Sequence, residues 1–242
     1  MEYKGDFMAS NKHYKSLAFT LAEVLITLGI VGVVAAMTIP TLMHNYRAKE
    51  MRTRLLRANS IIQNGIGRMV ADEVNISELM QSRDYNVLRK YFKDGGCLVP
   101  KNASQGNYKN YFGNMNTSSA AIQKVIWPPY CLNDGMLLWF AQLNEWSNHK
   151  LVATDYTILL VDINGWQNLP NKYGIDVFFW IFNPEDSRVH PIGKSASKSL
   201  DVLRRQSTYY ITCPGDTGWA EAGIGCTESA LSDESYFKKL KF

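Results

Sequence analysis

Hydrophobic and polar positions along the chain fall into three regimes. From Phe19 to Ile39 the residues are apolar or small, and Glu23 is the single charge. At about 1.5 Å per residue this stretch makes a helix of about 30 Å, the thickness of a bilayer's hydrocarbon core. Further on the pattern changes to a three- and four-residue recurrence. Met51, Leu55, Ala58, Ile62, Ile66 and Met69 form one stripe, with Arg52, Arg54, Arg57 and Gln63 between them. That spacing predicts an amphipathic helix with one face on a core and the other in water. Counted together from Phe19 to about Val70, the two stretches predict one helix of roughly 75 Å, half in lipid and half the spine of a soluble body.

The third regime holds short runs of β-branched, aromatic and other apolar residues bounded by Gly, Asn, Asp and Pro: 134–140, 156–163, 176–182 and 208–212. Such runs predict strands. Val177 to Ile181 is apolar at alternate and intervening positions alike, which predicts an interior strand covered on both sides. Residues 97–130 are rich in Asn, Ser, Gly and Tyr and read as loop. The expected fold is α+β, a long N-terminal helix packed on an antiparallel sheet with long loops.

Composition changes the picture little. A chain of 242 residues, 46% hydrophobic and 20% charged, is ordinary globular material. Net charge is +4, and basic residues mass only between Arg47 and Arg57, so nucleic acid is not the default partner. Cys97, Cys131, Cys213 and Cys226 all lie in the body, without C-x-x-C pairs or histidines at zinc-ligand spacing. They predict two disulfides in an oxidising compartment, Cys97 with Cys131 and Cys213 with Cys226, because each pair brackets one loop-rich segment. Four buried free thiols are the alternative. Catalytic motifs are absent, and His13, His44, His149 and His190 fall in unrelated contexts. No enzyme is expected.

No small-residue signal-peptidase site follows the apolar run, which favours a retained anchor over a secretory leader. The charges flanking it pose a conflict. Lys4, Lys12 and Lys15 stand against Glu2 and Asp6 before the run, whereas Arg47, Lys49, Arg52, Arg54 and Arg57 stand against Glu50 after it. Counted by the positive-inside rule, these place the body in the cytoplasm; the cysteines place it outside.

The stretch Ala18-Phe19-Thr20-Leu21-Ala22-Glu23-Val24-Leu25 resembles the cleavage and methylation site of type IV prepilins and type II secretion pseudopilins, a small residue followed by Phe-Thr-Leu-Ile-Glu-Leu. Alanine stands here where the family usually has glycine before the cut and isoleucine or leucine before the glutamate, and the leader is longer than the commonest type. The resemblance covers roughly residues 15–45. It implies that a prepilin peptidase cuts between Ala18 and Phe19 on the cytoplasmic side and methylates the new amino terminus of Phe19. Glu23 then matches the family's fifth mature residue and Pro40 its twenty-second. The implied organisation is a leader at 1–18, a transmembrane and assembly helix at 19–40, an amphipathic spine at 41–75 and a pilin-like β-rich body at 76–242. The implied function is a structural subunit, pilin or pseudopilin, of a type IV pilus or type II secretion pseudopilus. It is single-pass in the inner membrane with its body in the periplasm before assembly, and in the filament afterwards. Implied partners are the peptidase, other pilins, the inner membrane and an assembly ATPase that does not touch this chain directly.

Glu23 makes physical sense on that reading. A lone carboxylate in an apolar helix is costly unless it lies near the interface or finds a positive partner. The cut creates a cationic α-amino group four residues away, on this chain or a neighbouring subunit. Gly29, Gly32 and Pro40 are the helix's other assembly candidates. Proline removes a backbone hydrogen bond, and Gly29-x-x-Gly32 with Ala35 and Ala36 offers a small-residue face for other helices; ordinary membrane-helix composition explains the glycines equally well.

Two further readings stay open. In "VDINGWQNLPNKYGIDVFF" the residues Asp162, Asn164, Asn168, Asn171 and Asp176 crowd oxygen-bearing side chains onto one connection. Turn chemistry accounts for them without an ion, whereas calcium, held by Asp162, Asn164 and Asp176, is the competing reading; otherwise no cofactor is expected. A similar hairpin accompanies prepilin-type proteins. Secondly, a membrane-tethered adhesion protein using exposed Trp127, Tyr130, Trp146 or Trp166 would need the same anchor.

Overall fold

The computed structural model describes residues 19–76, 78–79, 85–93, 95–96, 122–123, 129–147, 150–165, 167–168, 170–199, 213 and 223–240. Its longest element, α1, is a 51-residue helix, Leu21–Ala71, about 77 Å long. The chain divides into two compact units, residues 1–43 and 44–242.

In the second unit α1 is the spine. Ala48, Met51, Leu55, Ala58, Ile62, Ile66 and Met69 are all buried in one core, the stripe that the periodicity predicts with Ala48 added at its start. They meet an antiparallel sheet. Among the described residues it has six strands: β1 (Ile122–Gln123), β2 (Tyr130–Cys131), β3 (Leu137–Ser147), β4 (Lys150–Asp162), β5 (Val177–Asn183) and β6 (Arg188–Pro191). The order is β1-β3-β4-β5-β6, with β2 also on β3.

The register puts Leu138 opposite Val161, Phe140 opposite Leu159, Leu159 opposite Trp180 and Val161 opposite Phe178. Because side chains alternate across a strand, these residues share one face, and all belong to the core that contains the α1 stripe. The intervening Leu137, Trp139, Ala141, Ile158, Leu160, Val177, Phe179 and Ile181 are buried as well. Every residue of β5 is buried, as its two-sided apolar run predicts. Polar contacts fix the helix on the sheet: Trp180 Nε1 donates to Asn59 Oδ1 at 2.9 Å, Gln63 Nε2 to Val189 O at 3.0 Å, and Arg57 Nε pairs with Asp134 Oδ2 at 2.9 Å.

Several elements depart from the expectation. Strands 134–140 and 156–163 are longer than their apolar runs, because β3 and β4 pair as far as Ser147 with Lys150 through backbone donors and acceptors that every residue carries. The stretch read as loop up to residue 130 contributes β1 and β2 to the sheet. Strand β6 is polar and ends in Pro191, which suits an edge position but carries no strand signal. A short helix, α2 (Tyr85–Tyr91), leads to Phe92, whose ring stands edge-on to Tyr130 and Phe140 with centroids 6.4 and 6.1 Å away. The predicted strand 208–212 lies outside the described residues.

The edge of β5 beyond β6 is met by the chain's C-terminal segment, whose Cys226, Ala230, Tyr236 and Phe237 belong to the core that contains the α1 stripe, with the Phe237 ring edge-on to Phe178 at 5.9 Å. After α3 (Lys194–Ser199) come a 3-10 turn (Ile224–Cys226), α4 (Thr227–Ser232) and a last turn (Tyr236–Lys239). Where β6 ends, Ile192 N donates to Phe179 O at 2.9 Å and the Phe179 N–H donates to Thr227 Oγ1 at 2.8 Å. A side-chain hydroxyl thus completes the buried edge of the ladder.

Candidate functional site: an apolar helix with a capped start

From Phe19 to Tyr46, all fifteen large apolar side chains are exposed, from 41 to 84% of their surface. Among the described residues α1 is the one helix long and apolar enough to cross a membrane. A monomeric soluble protein rarely exposes a contiguous apolar patch above a few hundred Å². Burying a side chain of this kind stabilises by about 1.5–3 kcal/mol, so covering fifteen of them is worth on the order of 20–40 kcal/mol. Lipid or other helices can supply that cover.

The helix starts immediately after Thr20, and Glu23 is the reason it can. Thr20 N and Oγ1 both donate to Glu23 Oε2 at 2.9 Å, while Glu23 N donates to Thr20 Oγ1 at 3.2 Å. This reciprocal arrangement is a capping box, satisfying donors that a helix start otherwise leaves orphaned. The Thr-x-x-Glu spacing is itself that motif's signature, a signal that reading Glu23 only as a charge passes over. Ala18 lies outside the described residues, and Phe19 precedes the cap, 84% exposed. Gly29 and Gly32 face open space; a Cβ added at either would meet nothing within 4 Å. No described residue of this chain therefore requires glycine there. Pro40 sits inside α1 without ending it.

The loop between β4 and β5 gathers the other predicted residues. Asp162 Oδ1 accepts from the backbone N–H groups of Asn164 and Gly165 at 3.1 and 2.8 Å. Asp176 accepts from Asn171 N at 2.7 Å, from Lys172 N, and from Asn164 Nδ2 at 3.3 Å. Asn171 adopts a left-handed φ of 51°, as asparagine readily does in turns. Burial, and then the neighbouring Asp162, push the Asp176 carboxyl up to about 7, against the pull of these donors. N–H groups converging on carboxylates are what turn chemistry requires, whereas calcium takes oxygens alone. Asn164 Oδ1 is sealed from solvent without a hydrogen-bond partner among the described residues, and a water or a cation would satisfy it.

The C-terminal segment clamps this loop. Gly174, at φ 73°, lies under Cys226: a Cβ there would come within 3.0 Å of Cys226 Sγ. Tyr236 Oη donates to Gly174 O at 2.6 Å, and burial pushes its pKa up, so it remains a donor. Cys226 is bonded to Cys213, the pairing expected from sequence. Cys131 is also disulfide-bonded, and Cys97 lies outside the described residues. The free-thiol alternative fails for these three cysteines.

Of the four aromatic residues of the adhesion reading, Tyr130 alone has a described side chain. Tyr130 is buried, its hydroxyl donating to Phe92 O at 2.8 Å, because β2 carries it into the core. Trp127, Trp166 and the Trp146 side chain lie outside the described residues. Comparison of the chain with protein-family models, with curated proteins and with solved structures finds no match.

Proposed function

We propose that this chain is a prepilin-like structural subunit, pilin or pseudopilin, anchored by residues 19–40 and polymerised through that helix, with its body in the periplasm. The observation that carries the reading is the bare apolar half of α1, whose other half is the buried spine of a folded body. A helix so exposed needs lipid before assembly and other helices after it, and both suit a subunit that moves from membrane to filament. The capped start immediately after the Ala18/Phe19 junction supports it further, since a cut there leaves a helix that begins at once. The disulfides favour export over the count of flanking arginines.

The test is the amino-terminal mass of the protein recovered from cells. A chain beginning with N-methylphenylalanine at Phe19 is expected; a chain beginning at Met1 in cells with an active prepilin peptidase refutes the assignment. An alkaline phosphatase fused after Phe242 is expected to be active, and activity of a cytoplasmic reporter alone would overturn the topology. The 162–176 loop acts as a hydrogen-bonded staple that needs no ion, so chelation with EGTA leaves the melting midpoint unchanged; a lowered midpoint would establish the calcium reading.

A further inference from the structure

The unbroken run of exposed large apolar side chains on α1 ends at Tyr46, which is 66% exposed, and the buried stripe begins at Ala48. At this crossover Arg47 and Lys49 are exposed. The structure adds basic residues from the far end of the sequence. His44 Nε2 lies 2.8 Å from Leu240 O, Arg52 Nη1 donates to Asp233 O at 3.1 Å, and Arg52 Nη2 lies 3.9 Å from Glu234 Oε1. These contacts fasten the last turn to the first turns of the spine, and they carry the exposed Lys238 and Lys239 to the level of Arg47 and Lys49.

The rim is cationic in balance. Arg47, Lys49, Arg52, Arg54, Lys238 and Lys239 stand against Glu50, Asp233 and Glu234. Glu50 is taken by Arg54 at 3.0 Å and Asp233 by Lys239 at 2.8 Å. Lys49 and Lys238 have no acidic partner at ion-pair distance among the described residues.

We infer that this rim docks the body on anionic phospholipid headgroups where the helix leaves the bilayer. The inference rests on the anchor reading, which sets the height of the rim. His44 follows the apolar stretch directly, and His44 to Arg52 covers about 12 Å of helix, comparable to the Debye length of about 8–10 Å at moderate salt. Tyr46 sits at the level where amphipathic rings anchor membrane helices. Interior core residues gain nothing from four exposed cations, whereas a basic cluster beside a membrane gains about fivefold in association for each one.

The experiment uses the full chain in nanodiscs of phosphatidylcholine alone or with added phosphatidylglycerol, with amide hydrogen exchange read on residues 44–52 and 233–240. In the anionic discs exchange of these segments is expected to slow by roughly fivefold for each engaged lysine. The slowing is lost at high salt and in the Lys49→Gln/Lys238→Gln variant, while exchange in β5 stays unchanged and so reports an intact fold. Equal exchange of the rim in neutral and anionic discs overturns the inference. So does slowing in neutral discs on adding inorganic phosphate, which would make the rim a free-anion site. Slowing that follows protein density in neutral discs would assign the rim to a neighbouring copy and also overturns it. Failure of the chain to enter discs at all would instead remove the anchor reading.

Discussion

Raising the pH from 5 to 8 is predicted to destabilise the body through the Asp162/Asp176 loop. Both residues are fully buried, and the Asp176 carboxyl is pushed up to about 7 from its usual 3.8 by burial and by Asp162. A carboxyl raised in the folded state keeps a proton that the unfolded chain releases. Stability is therefore unaffected by this group below about pH 4, falls as pH rises between about 4 and 7, and stays reduced above. Each unit within that window costs about 1.4 kcal/mol, so the step from pH 5 to 8 removes about 3 kcal/mol. The assay is urea unfolding of the full chain in detergent micelles, followed by the fluorescence of the buried Trp139 and Trp180. Asp176→Asn abolishes this contribution to the slope, at a cost of about 1–3 kcal/mol at pH 5 because one of its converging N–H donors loses an acceptor. Asp162→Asn keeps the Oδ1 that accepts from Asn164 and Gly165 but removes the neighbouring charge, so the fall with pH becomes smaller. Parallel stability curves for wild type and Asp176→Asn between pH 5 and 8 would refute the reasoning.

The two functions available to Glu23 can be separated. Glu23→Gln keeps an oxygen for Thr20 and loses the charge, whereas Glu23→Leu loses both; if pairing with a neighbour's amino terminus drives assembly, both accumulate as processed subunit in the membrane and are absent from sheared filaments. Filaments containing the glutamine variant at the wild-type level would reduce Glu23 to its capping role. Leu55→Ala, in the middle of the buried stripe, is expected to cost about 2–5 kcal/mol of body stability, and a loss below 1 kcal/mol, measured by urea unfolding, would mean the spine is not packed as described. Thr227→Val conserves shape but orphans the buried Phe179 N–H, a loss of about 1–3 kcal/mol; an unchanged unfolding midpoint would show that another group accepts that bond.

Periodicity and run length in the sequence determine the elements whose side chains report their surroundings. The α1 stripe from Met51 to Met69 and the two-sided apolar run of β5 are legible because burial selects side chains at the repeat of the helix or the strand. The bare helix from Phe19 is legible instead from the length of its apolar run, which matches a bilayer, and the Cys213–Cys226 pairing because the two bracket one segment. What the tertiary structure decides rests on groups without such a repeat. Strands β1, β2 and β6 join the sheet through backbone donors and acceptors that every residue carries, so the polar Arg188–Pro191 gives no notice of its pairing. Thr227 completes the ladder at Phe179, 48 residues earlier in sequence, and Tyr236 reaches Gly174, 62 residues away, only once the C-terminal segment folds back. Tyr130, an aromatic that composition alone could place on a surface, is buried because its strand lies beside β3. The basic rim is divided in sequence between residues 47–54 and 238–239, and it exists because the last turn closes onto the spine; such long-range closure leaves no local pattern, since its energy comes from contacts between segments rather than from order within one.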